Sequence, residues 1–245
     1  MSRFREAPLE ILADADALAR RAADWLLAAA RSEVRSFAIA LSGGSTPRRL
    51  YALLAQPPYR EAFPWPRSHW FWGDERFVAK SDARSNERMV REALLAHVPV
   101  PPENIHAIPT EGIDAEAAAA AYEAALRKFY GAARLDPVQP LFDAVLLGLG
   151  SDGHTASLFP GAAALGERER WTAVVAGLEP ETRITLTYPA LESSRRTLFL
   201  VEGAEKRATL KRLRSAPQDD LPAARLAPLG ALWIFADRAA AEGLA

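Results

Sequence analysis

Apolar residues along this chain fall into two rhythms, longer segments of helical period and short continuous runs, and their alternation predicts the architecture. Between positions 8 and 31, Leu9, Leu12, Ala15, Leu18, Ala22, Trp25 and Leu26 recur at close to helical spacing, which predicts an amphipathic helix. Phe37-Ala38-Ile39-Ala40-Leu41 reads as a short buried strand. Ser42-Gly43-Gly44-Ser45-Thr46-Pro47 then turns into a helix over 48–54, with Thr46 as N-cap and Pro47 at the first helical position, where no amide donor is needed. Trp70-Phe71-Trp72 predicts a strand closed by Gly73-Asp74-Glu75-Arg76. A helix over 86–97 stops at the prolines of 99–102, and an alanine-rich helix over 114–130 takes Asp114 as its cap. Strands follow at 142–147, 172–175, 182–187, 197–201 and 232–236, with a helix at 204–213 before the last. The polar, proline-bearing stretch 218–228 reads as a surface excursion. Such alternation predicts an α/β fold, a doubly wound, mostly parallel sheet with helices on both faces, in one domain over 1–245. Trp65, Trp70 and Trp72 are core or interface residues; the pattern does not separate the two.

Composition removes several classes of function. At 245 residues, 49% apolar and 25% charged, the chain has the make-up of a soluble protein with a full core. Thirty Lys plus Arg against 31 Asp plus Glu give a formal charge of -1, so no overall field favours nucleic acid or an anionic membrane. Any anion must be held by local basic groups. The absence of cysteine excludes a disulfide, a thiolate nucleophile and Cys-ligated zinc, and it fits a cytoplasmic location. No signal-peptide core precedes residue 16, and no apolar run reaches the ~20 residues a membrane helix requires.

The strand at 142–147 runs into Gly148-Leu149-Gly150-Ser151-Asp152-Gly153-His154-Thr155-Ala156-Ser157-Leu158-Phe159-Pro160. Glycines at the carboxyl end of a parallel strand let backbone amides approach a ligand. His154 is the candidate general base, since an imidazole near its ordinary pKa accepts a proton from water at neutral pH. Asp152 would fix its tautomer or touch substrate. The plain alternative is a loop histidine bonded to backbone. Gly148, Gly150 and Gly153 also satisfy a dinucleotide fingerprint, with Glu179 downstream, but Pro160-Gly161 breaks the chain before a long helix can form. No cofactor is expected. His69, His97 and His106 share no spacing that suggests a metal site, and Ser157 has no nucleophile elbow. Ser42, Gly43, Gly44, Ser45 and Thr46 form either a phosphate-binding turn or an ordinary capped one. Asp74 and Arg76 should share its sheet edge, Arg183 begins a strand, and Lys206 sits near a helix start. Each of these is a candidate substrate contact or a solvated charge.

Taken in order, these segments resemble the 6-phosphogluconolactonase family, within the group that includes glucosamine-6-phosphate isomerase/deaminase. The similarity rests on Leu41 to Pro47, Gly73-Asp74-Glu75-Arg76 with Ser85-Asn86, the loop at 148–160, Arg183-Ile184-Thr185-Leu186-Thr187, and Gly203 with Lys206. The loop at 148–160 is the most specific, because the deaminase branch typically continues Ile-Ala-Phe-Asn-Glu-Pro after Gly-His. The resemblance implies a Rossmann-like fold and metal-free hydrolysis of 6-phospho-D-glucono-1,5-lactone. His154 would activate water, while Ser45, Thr46, Arg76 and Lys206, with Arg183 nearby, hold the phosphate. The expected partner is a small sugar-phosphate lactone, the protein being a monomer or weak homodimer. An amino-sugar phosphate deaminase and a non-catalytic sugar-phosphate sensor are the alternatives, although no DNA-binding segment accompanies the latter.

Overall fold

A computed structural model describes residues 3–215 and 221–244. The strands in chain order are β1 (Leu9–Leu12), β2 (Phe37–Leu41), β3 (Ser68–Trp72), β4 (Asp74–Arg76), β5 (Ile105–His106), β6 (Ala144–Gly148), β7 (Thr172–Val175), β8 (Arg183–Leu186), β9 (Arg196–Val201) and β10 (Ala231–Asp237). Seven of them form one sheet in the order β1-β10-β9-β6-β2-β3-β5, every neighbouring pair parallel. From β2 the chain steps outward through β3 and β5; from β6 it steps the other way through β9 and β10. Right-handed crossovers therefore set the helices of the two halves on opposite faces. The order reverses between β2 and β6, and in such sheets the crevice beyond the strand ends at that point is the ligand site.

Every residue of β2 is buried, as its unbroken apolar run requires in a central parallel strand. Trp65, Trp70 and Trp72 are core residues, at most 2% exposed. Among the described residues no helix is long and apolar enough to cross a membrane.

Several elements depart from the pattern-based expectation. Leu9 and Leu12 belong to β1, which pairs with β10 at the sheet edge, and the helix starts later, at Ala15–Ser32. Both leucines fit either period, and a polar cap decides the boundary, since Asp14 accepts from Ala17 N at 2.8 Å. The helix after β2 is Ser45–Leu54, so Gly44 rather than Thr46 is its N-cap and Pro47 falls inside the first turn. Gly44 has φ 103°, a conformation open to glycine, and this lets the helix begin earlier. Of the stretch 218–228, residues up to 220 lie outside the described residues; from 221 onward it is no surface excursion. Leu221, Pro222, Ala223, Ala224 and Leu226 are buried, and Ala223 N donates to Gly153 O at 2.9 Å, beneath the histidine loop.

The runs at 172–175 and 182–187 do not join the parallel sheet. They form β7 and β8, which with β4 make a separate antiparallel sheet in the order β4-β8-β7. Gly73 is the junction: its N–H donates to Leu41 O and its carbonyl accepts from Leu186 N, both at 2.8 Å. A methyl group at 73 would stand 3.1 Å from Leu41 O, so glycine suits this crossing.

Tertiary folding also pairs two histidines that sequence spacing kept apart. His69 Nδ1 and His106 Nε2 are 3.1 Å apart across β3 and β5, and the His106 ring stacks on Phe71 at 4.3 Å. One ring must be neutral to accept from the other. Burial, with His69 beside it, pushes His106 down to about 4, and burial also lowers His69. A depressed folded-state pKa means that the unfolded chain binds more protons, so stability is present above pH ~6.5 and lost as pH falls toward 4. Allowing for partial exposure, the expected loss is about 1–2 kcal/mol. Urea unfolding at pH 7 and pH 4.5 should show it in the wild type and a smaller loss in His106→Phe. An identical loss in both would refute this account.

Candidate active site

Three strand ends of the parallel sheet and the antiparallel flap beside them line a cleft of about 230 Å³ at the switch point. The turn after β2 contributes Ser42, Gly43, Gly44, Ser45 and Thr46; the loop after β6 contributes Gly150, His154 and Ala156; the segment after β9 contributes Glu202 and Lys206. The antiparallel flap contributes Asp74, Arg76 and Arg183. All but two of the residues expected to serve the site face this one cleft. Asp152 and Gly153 stand behind it and act on His154.

Tyr51, fully buried in the second turn of the helix, fixes the turn after β2. Its hydroxyl accepts from Ser42 N at 3.1 Å and donates to Ser42 O at 2.9 Å. Gly43 passes so close to Asn86 that a methyl group there would stand 2.1 Å from Asn86 Oδ1. Because Gly44 carries no side chain, the N–H groups opening the helix Ser45–Leu54 are presented with the positive end of its dipole.

The two adjacent acids after Gly73 separate completely. Glu75 is 1% exposed and anchors the segment 85–87: Asn86 N and Glu87 N donate to its two oxygens at 2.7 and 2.6 Å, and Ser85 Oγ at 3.2 Å. Burial pushes Glu75 up to about 7, against the pull of the backbone N–H donors of Asn86, Glu87 and Arg76. Asp74 instead faces the cleft, held by Ser157 Oγ at 2.7 Å, while Asn86 Nδ2 donates to the Asp74 carbonyl at 2.9 Å. The Ser157 bond ties the flap to the histidine loop.

Arg76 and Arg183 are directly opposed across β4 and β8. Two guanidinium groups side by side repel; burial and Arg76 together hold Arg183 below its ordinary value, offset by Asp74, Glu179 and Glu181. Arg183 Nη2 lies 3.4 Å from Glu179 and 3.7 Å from Glu181. The Nε of each arginine is buried with no hydrogen-bond partner among the described residues. Two guanidinium groups lining one cleft suit a doubly charged oxyanion such as a phosphate. Lys206, in the turn Ala204–Lys206, lines the cleft beyond β9 and forms no ion pair among the described residues.

His154 is held from three sides. Its Nδ1 lies 2.6 Å from Asp152 Oδ1, its backbone N–H donates to the same oxygen at 3.1 Å, and its ring sits 4.5 Å from that of Phe159. Nδ1–H donating to the carboxylate leaves Nε2 as a free base. Burial raises the Asp152 carboxyl, but the backbone N–H and the ring of His154 outweigh it, so Asp152 lies below its usual range. The backbone turns back on itself through Gly150 N to His154 O at 2.9 Å and Gly153 at φ 86°. Only a single 3-10 turn, Ala163–Gly166, follows, not the long helix a dinucleotide fold requires, which disposes of the dinucleotide reading. Ala156 has φ 49°, the left-handed region that costs an L-residue roughly 1–2 kcal/mol. Thr155 Oγ1 on Gly148 O at 2.9 Å and Ser157 N on Thr185 Oγ1 at 3.2 Å hold it there.

Asn86 and Glu202 line the cleft but were not among the candidates. Asn86 was visible only as part of a motif, and Glu202 only as the residue after a strand. Among the described residues no three His, Asp or Glu side chains converge to hold a metal.

Residues 13–233 match the family described as glucosamine-6-phosphate isomerases/6-phosphogluconolactonase. The chain is 41% identical over 241 residues to a 6-phosphogluconolactonase of Nostoc sp., covering 96% of this chain and 97% of that one. It is 43% identical over 210 residues to a 6-phosphogluconolactonase of Synechocystis sp., covering 84% of each. The fold matches the solved structure of 6-phosphogluconolactonase from Trypanosoma brucei with a TM-score of 0.86 at 28% identity, over 98% of this chain and 99% of that one.

Proposed function

The chain belongs to the glucosamine-6-phosphate isomerase/6-phosphogluconolactonase family, and from that premise we propose that it hydrolyses 6-phospho-D-glucono-1,5-lactone with His154 as general base. The reaction is the lactone-opening step of the oxidative pentose phosphate pathway. The observation that carries the reading is the pairing of one oriented imidazole with two unsatisfied guanidinium donors in a single cleft. An activated ester needs a placed water, a base and relief of the oxyanion, and little else.

In the proposed sequence, Arg76 and Arg183, with Ser45, Thr46 and Lys206, hold the phosphate and set C1 against His154. Nε2 removes a proton as water oxygen bonds to C1. The C1 oxyanion is relieved by the free amides of the turn after β2 or a neighbouring cation. The C1–O5 bond then breaks, O5 takes the proton from the imidazolium, and the new carboxylic acid ionises. Asp152 keeps the ring in the productive tautomer and stabilises it while charged. The sequence after His154, Thr155-Ala156-Ser157-Leu158-Phe159-Pro160, favours the lactonase branch over the deaminase branch.

Proton release from freshly generated 6-phosphogluconolactone, corrected for spontaneous opening, is expected well above the buffer rate. Glucosamine 6-phosphate should give no ammonia. A lactone rate equal to the blank would remove the assignment.

A further inference from the structure

We propose that Glu202 is a specificity-determining residue that accepts a hydrogen bond from a hydroxyl group of the bound sugar, an inference that rests on the lactonase reading. Glu202 directly follows β9, the strand beside β6, and stands in the cleft wall opposite the flap that carries Asp74. Its two carboxylate oxygens have different surroundings. Oε1 faces Arg49 Nη2 at 3.8 Å, and Arg49 is itself fixed by Asp16 at 2.8 Å. Oε2 is buried and has no donor among the described residues.

A bare carboxylate oxygen in the wall of an anion-binding cleft is unfavourable twice over. It has given up water without a replacement donor, and its charge repels the phosphate. A neutral O–H group relieves the first without aggravating the second. Arg49 already faces the other oxygen, Lys206 forms no ion pair with Glu202, and among the described residues no cluster of side chains could hold a metal beside it. Asp74, the other carboxylate of the cleft, already takes Ser157 as a donor. Glu202 Oε2 has no donor at all among the described residues, and a phosphorylated sugar lactone brings several neutral hydroxyls. Arg49 orients the carboxylate from outside the cleft, bordering the adjoining groove instead.

The test compares kcat/KM of the wild type, Glu202→Gln and Glu202→Ala on the parent lactone and on its 2-, 3- and 4-deoxy counterparts, each generated in place from the deoxy-sugar phosphate. On the parent, Glu202→Ala should lose about tenfold or more, chiefly through KM, and Glu202→Gln less, because an amide oxygen still accepts. On one deoxy lactone the penalty of Glu202→Ala should vanish, since the partner hydroxyl is already missing. A merely structural role would impose one penalty on every substrate; equal penalties, or none, overturn the inference. Wild-type turnover separates the two levels. Absent turnover of the parent lactone removes the lactonase reading and this inference with it, whereas normal turnover with uniform penalties removes Glu202 alone.

Discussion

Replacing His154 with alanine is expected to lower turnover of 6-phosphogluconolactone by roughly 10²–10⁴-fold, the usual contribution of a positioned general base. Affinity for 6-phosphogluconate should stay within a few-fold, because the anion contacts proposed above come from Arg76, Arg183, Lys206 and the turn after β2, none of which bonds to the His154 ring. The fold should be unaffected, since that ring is partly exposed and among the described residues its one polar contact is Asp152. Proton-release kinetics and titration calorimetry with 6-phosphogluconate check both halves. Unchanged turnover would remove His154 as the base; turnover and binding lost together would make it a ligand contact instead. Because the lactone opens unaided, the residual rate must be read against the buffer.

The second large effect is expected at a residue with no side chain. A methyl group at position 150 would stand 2.1 Å from His154 Nδ1 and 2.6 Å from Asp152 Oδ1, in the middle of their hydrogen bond. These are side-chain ends that can rotate away, so Gly150→Ala should fold with a stability change of less than about 1 kcal/mol. Moving the imidazole by an ångström is costly for a reaction that depends on alignment, and a loss of about 10²-fold in kcat is expected with KM nearly constant. Thermal unfolding together with steady-state kinetics distinguishes this from general damage. Full activity in Gly150→Ala would mean that the observed His154 and Asp152 geometry is not the working one. The glycine here reserves space for the base, a reason distinct from the positive φ that Gly153 requires.

The site was more legible in the sequence than parts of the fold. Glycine, histidine and aspartate after a buried strand mark a candidate ligand loop through local chemistry alone, so His154 and Asp152 stand out as candidates without tertiary information. The same holds for the Gly43-Gly44 turn, although its helix begins one residue before the expected cap because Gly44 itself opens it. Leu9 and Leu12 were misread as helical because two apolar residues three apart satisfy a helix as well as an edge strand, and only the free edge of β10 decides between them. Segments 172–175 and 182–187 read correctly as strands, but a short run carries no information about its partner or direction. The inward packing of Leu221 to Leu226 was hidden by neighbouring prolines and polar residues that suggest surface.

By itself, the sequence determined the α/β alternation, the loop holding the proposed base, the supply of local cations and, through its motifs, the family. These are properties of segments a few residues long, where backbone preference and side-chain chemistry act locally. The tertiary structure alone decided which groups meet: Arg76 against Arg183, Asp74 against Ser157, His69 against His106, and Glu202 placed in the cleft wall with a buried oxygen that has no donor among the described residues. Those pairings join residues up to 107 positions apart, as Arg76 and Arg183 are. They depend on the sheet order reversing between β2 and β6 and on Gly73 passing the chain from one sheet to the other, and no local pattern encodes either.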